Sequence, residues 1–89
     1  MTVIPPDRMI VEEDASNGPC GPHLTQWISE AGGLTQFGAL IQTLPPGSRS
    51  SIKHWHRAED EMIYVLEGQV TLIEGETETL LKPGDAATF

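Results

Sequence analysis

Three side chains in one short stretch have the types and spacing of a metal site: His54, His56 and Glu61. On an extended strand, residues i and i+2 point to the same face, so His54 and His56 project side by side while Trp55 projects the other way. A carboxylate five residues after His56 completes a set of two imidazoles and one carboxylate, which suits a first-row divalent metal. The four-residue turn Arg57-Ala58-Glu59-Asp60 lets the chain come back alongside the strand, level with the two histidines. A plainer reading stands beside this one. His-x-His is common by chance, and Glu59-Asp60-Glu61 also reads as a solvated acidic turn. Spacing alone leaves both open.

Other reactive groups have blander readings. Cys20 lies in Gly18-Pro19-Cys20-Gly21-Pro22, and a nucleophilic thiol needs a base and a depressed pKa that only His23 is near enough to supply. It reads as a loop thiol. Tyr64 is a possible hydrogen-bond partner for a ligand, but core packing is the stronger expectation. Trp55, opposite the ligands, is expected to pack on an arm or a partner. Asp85 is expected to order its own turn by accepting from nearby N–H groups.

The elements that must position these groups are short. Gly and Pro make 16 of the 89 residues, 9 and 7 respectively, so the chain is punctuated throughout. Residues 1–22 read as an arm, with four prolines and the acidic run Glu12-Glu13-Asp14. Residues 24–29 read as a strand, with residues 26–32 able instead to form a short helical turn. Residues 35–44 alternate loosely up to the turn Pro45-Pro46-Gly47. Residues 52–56 and 61–67 read as strands, the second joined to residues 70–73 by a tight hairpin at Gly68-Gln69. Gly75 makes the next turn, residues 77–81 form another strand, and Pro83-Gly84-Asp85 turns into a last one from Ala86. Strands every 8–12 residues with turn signals between them are the pattern of an all-β sandwich or barrel. No 12-residue window keeps a 3.6-residue period free of Gly and Pro.

Charge and length narrow the function classes. With 5 Lys+Arg against 13 Asp+Glu the net charge is −8, and each half of the chain divided after Leu44 carries −4 (1 − 5 and 4 − 8). Nucleic acid and anionic membrane surfaces both demand clustered Lys and Arg, so neither is expected as a partner. The longest apolar run, residues 62–66, is far short of the roughly 20 residues of a membrane span. MTVIPPDR lacks a signal-peptide pattern. The expected location is cytoplasmic. A chain this small buries only about 60% of its unfolded surface. Its one cysteine allows no internal disulfide, which leaves a metal or a partner subunit to add stability.

The stretch Gly47 to Gly68, GSRSSIKHWHRAEDEMIYVLEG, resembles the first motif of the cupin superfamily: Gly, about five residues, His-x-His, three or four residues, Glu, six residues, Gly. One extra residue between Gly47 and His54 is the only departure. Lys82-Pro83-Gly84-Asp85 is similar to the start of the second motif. The resemblance covers roughly residues 36–89. It implies an antiparallel double-stranded β-helix, or jelly-roll barrel, over residues 23–89, of the single-domain "cupin 2" type. It also implies that His54, His56 and Glu61 are three ligands of one divalent ion (Fe, Mn, Zn, Ni or Co), with a fourth, histidine ligand after the Pro-Gly-Asp turn. No such residue occurs up to Phe89, so the chain is expected to be a fragment lacking the last strands; His23 is not taken as the fourth ligand.

The function expected on this basis is a metal-dependent small-molecule enzyme of the oxygenase, isomerase or lyase kind, with its ligand in the barrel mouth and its reaction open. The alternative is a non-enzymatic cupin, either small-molecule-binding or structural, with a structural metal. A homodimer is expected through the first 35 residues, with Leu24 to Ser29 added as a strand to the partner's sheet.

Overall fold

The first strand, β1, spans Ile10–Asp14 and falls inside the proline-spaced stretch that reads as an irregular arm. The computed structural model describes residues 1–14, 20–50 and 60–89. Among these the chain is all-β apart from one 3-10 turn at Pro6–Arg8, which Pro6 opens and the Arg8 N–H closes onto the Pro5 carbonyl at 2.9 Å. The strands are β1, β2 (His23–Trp27), β3 (Leu40–Thr43), β4 (Met62–Tyr64), β5 (Val70–Glu74), β6 (Thr77–Leu81) and β7 (Ala86–Thr88). Every pairing is antiparallel, and the described strands form three separate sheets rather than one closed barrel. The strand expected over residues 52–56 lies outside the described residues.

The chain falls into two compact units, Met1–His54 and Trp55–Phe89. In the first, β2 is the middle strand, with β1 on one edge and β3 on the other. Register places Ile10, Trp27 and Leu40 in one row across the sheet, and Glu12, Thr25 and Gln42 in the next row on that face. Thr25 is buried and accepts a hydrogen bond from Gln42 Nε2 at 3.3 Å. This placement corrects the expectation that residues 24–29 add to a partner's sheet. Both backbone edges of β2 are already satisfied within its own chain, so it has no free edge to give. The helical turn allowed for residues 26–32 follows the strand instead of replacing it. The Gly32 N–H bonds to Ile28 O, the Leu34 N–H to Ser29 O, and Gly33 at φ 73 ends the turn. Ile4 lies over Gly32 so closely that a Cβ there would stand 2.6 Å from Ile4 Cδ1.

In the second unit β5 and β6 form a two-residue hairpin. Register pairs Glu74 with Thr77 across Gly75-Glu76, and Gly75 at φ 59 supplies the left-handed first position of a type II′ turn. β4 pairs with β7, not with β5. The tight β4–β5 hairpin expected at Gly68-Gln69 is therefore absent: the chain leaves the β4 ladder after Val65 and enters a different sheet. Alternating apolar residues mark strands without saying which strand they pair with. Val65, 8% exposed, and Leu81, 7% exposed, are the buried apolar residues of this unit among those described.

Candidate functional site

Glu61 is the one proposed ligand among the described residues; His54 and His56 lie outside them. The backbone around Glu61 is closely specified. Its N–H donates to Phe89 O at 3.3 Å and its carbonyl accepts from the Phe89 N–H at 2.9 Å, so the β4–β7 ladder runs one pair beyond the ends of both strands. Glu61 is half-buried.

The other end of this ladder explains the Pro-Gly-Asp sequence. The Asp85 N–H donates to Lys82 O at 2.9 Å, closing a four-residue turn with Pro83 second and Gly84 third at φ 91, the type II arrangement. The Gly84 N–H then donates to Val65 O at 2.9 Å and the Val65 N–H to Asp85 O at 3.0 Å. Two residues of one strand thus oppose one of the other, a glycine bulge that re-aims the chain into β7. Asp85 behaves as expected from its sequence: its Oδ2 accepts from the Lys82 N–H at 2.9 Å. Turn, bulge and ladder join the end of the first motif to the start of the second through Val65.

The lesser candidates fare variously. Tyr64 is 56% exposed, so the core packing expected of it is not found. Met62 and Leu66 on the same side are exposed too, while the Ile63 and Val65 side is the more covered one. His23 holds its Nδ1 3.1 Å from Gly21 O, an arrangement in which Nδ1 carries the proton and donates. It lines a shallow cleft in the first unit with Glu13, Asp14, Pro22, Leu24, Thr43 and Pro45. Cys20 is a half-buried free thiol whose carbonyl accepts from the Arg49 N–H at 2.6 Å. Trp55 lies outside the described residues. Among the described residues no group of three or more His, Cys, Asp or Glu side chains is placed to hold a metal. No helix among them is long and apolar enough to cross a membrane.

Sequence reasoning missed Phe89 as a neighbour of Glu61. The two are 28 residues apart, and only the β4–β7 register brings them together. No signal local to either residue reports it.

The chain matches no curated protein and no solved structure. A family model described as the cupin domain matches residues 40–89, which is 50 of the 89 residues and includes His54, His56 and Glu61. With that match spanning both motifs, and with the two hydrogen-bonded to one another through Val65, the chain belongs to the cupin family.

Proposed function

We propose that this cupin binds one divalent metal ion through His54, His56 and Glu61 and uses it to bind and transform a small organic molecule. The observation that carries this reading is the spacing Gly47, His54-Trp55-His56, Glu61, Gly68 inside the family match. The donor set fits the group: two neutral imidazoles and one carboxylate suit Fe, Mn, Zn, Ni or Co, and the facial two-His, one-carboxylate set leaves positions open. When bound, the metal supplies Lewis acidity toward an oxygen of the ligand. The residues of the chain hold and orient. Glu61 sits on backbone tied at both its N–H and its C=O, which limits how far its carboxylate can wander. The proposed setting is a cytoplasmic homodimer that needs neither nucleic acid nor membrane. The support for a dimer is the chain's small size and the exposed apolar residues Ile10 and Val11 on the outer strand β1.

Elemental analysis of the purified protein tests the site. The expected result is about one equivalent of metal in the wild type. His54→Ala and His56→Ala are expected to lose nearly all of it, and Glu61→Gln at least tenfold in affinity, with the β-sheet circular dichroism spectrum retained. Metal-free wild type after growth in metal-supplemented medium, or variants that keep their metal, would overturn the assignment. A protein that holds its metal but binds no small oxygen ligand belongs to the non-enzymatic alternative, a closed structural site.

A further inference from the structure

The chain from Ser29 to Ala39 leaves the sheet after β2 and returns just before β3 with its two ends hydrogen-bonded together, the form of an Ω-loop. Its first half is a turn, in which the N–H groups of Gly32, Gly33 and Leu34 donate to Ile28 O at 3.0 Å, Glu30 O at 3.2 Å and Ser29 O at 2.9 Å. Ile4, from the segment that precedes β1, is half-buried and seated on that turn. A Cβ built on Gly32 would stand 2.6 Å from Ile4 Cδ1 but 3.8 Å from Ile4 Cγ1. Gly32 does not have a left-handed φ, so space and not backbone conformation calls for glycine here. The terminal methyl of Ile4 occupies the room that a side chain at residue 32 would take. The second half of the loop is open, with Leu34 53% and Phe37 68% exposed.

We propose that Ile4 is a latch on the 29–39 loop: seated on Gly32 it holds the loop's turn closed, and lifting it lets the loop open while β1, β2 and β3 stay paired. Both partners and the whole loop belong to the first unit, so the device involves neither Glu61 nor the proposed metal. Its physical basis is the difference in how sheet and loop are fastened. Continuous ladders hold β2 on both sides. The turn is held by three backbone bonds and by the apolar contact with Ile4. Segments with few buried contacts open locally at a lower free energy than the ladders beside them. The bonds between Ser29 and Ala39 fix the loop's ends, and Ile4 acts on what lies between. The latch therefore decides whether Leu34 and Phe37 are presented on a fixed loop or a mobile one.

Residue-resolved amide hydrogen exchange of the full chain, followed by NMR, tests this. Ile4→Ala is expected to speed exchange at Gly32, Gly33 and Leu34 by roughly tenfold, the scale of withdrawing about two buried CH₂ groups, and at the β2 amides by less than about twofold. Gly32→Ala, whose new Cβ displaces Ile4 Cδ1, is expected to have the same effect at Gly33 and Leu34. Ile4→Val lacks that Cδ1. In the double variant Ile4→Val/Gly32→Ala the new methyl takes the vacated room, and the rates at Gly33 and Leu34 are expected to return to near wild type. This size swap keeps the proposal falsifiable if Ile4→Ala fails to fold. Loop amides unmoved by Ile4→Ala, loop and β2 amides accelerated equally, or no rescue in the double variant overturns it.

Discussion

Ser29 stands where β2 ends, and one hydroxyl there holds a long excursion together. It is 2% exposed. Its Oγ accepts from the Ala39 N–H at 3.0 Å and donates to Glu30 Oε2 at 2.9 Å, with Ala39 O a longer alternative at 3.3 Å. The N–H groups of Ile28 and Ser29 both reach Ala39 O at 3.1 Å. The chain between residues 29 and 39 is thus closed by side-chain and backbone bonds at a single point. Ser29→Ala leaves the Ala39 N–H without its acceptor, a loss of about 1–3 kcal/mol. For a domain of this size each kcal/mol lowers the melting temperature by about 4–8 °C. A thermal melt followed by circular dichroism checks this, and a melting temperature equal to wild type would mean that water replaces the hydroxyl. Nothing near Ser29 in sequence signals the role, because its partner lies ten residues on. Asp85 is the contrast: its partner is three residues away, and the turn-ordering role was readable from Pro-Gly-Asp alone.

At the scale of elements, the turn from Lys82 to Asp85 and its bulge matter most for the candidate site, since they set the register that lands Phe89 opposite Glu61. Gly84 has φ 91, a region that costs a residue with a Cβ about 1–2 kcal/mol. Gly84→Ala is expected to destabilise by about that much and to weaken metal retention along with it. Gly38 is the matched control. It has open space around its Cβ position and no left-handed φ, so Gly38→Ala is expected to leave stability unchanged or raise it by about 0.4–1 kcal/mol. Denaturant midpoints of the two variants make the comparison; equal losses would show that the left-handed turn is not what sets the cost. Strand positions and turns were largely legible from residue chemistry: Pro45-Pro46-Gly47, Gly75 and Pro83-Gly84-Asp85 all turn. Pairing was not. The hairpin expected at Gly68-Gln69 gave way to β4–β7, and β1 emerged from a stretch whose prolines flank it without entering it.

At the scale of the whole molecule, the proposed homodimer can still run through the first 35 residues, but not by adding β2 to a partner's sheet. β2 is enclosed, so a strand contact between copies must use an outer edge, and β1 carries Ile10 and Val11 exposed there beside Glu12 and Glu13. Carboxylates on an edge strand discourage indiscriminate pairing. Sedimentation at micromolar concentration is expected to give a dimer, shifted toward monomer by Val11→Lys. A monomer in both proteins would remove the second copy as a source of stability.

The strand-rich class, the turn positions, the motif spacing and the candidate donors His54, His56 and Glu61 are all legible in the chain's residues, because each depends on residue types within a few positions of one another. That β2 is central, that β4 pairs with β7, that Tyr64 is exposed and that Phe89 stands beside Glu61 emerges from the folded chain alone. These are choices among non-local pairings. Strand propensity and period-two alternation are compatible with many such pairings, and the one adopted is selected by backbone bonds between residues tens of positions apart.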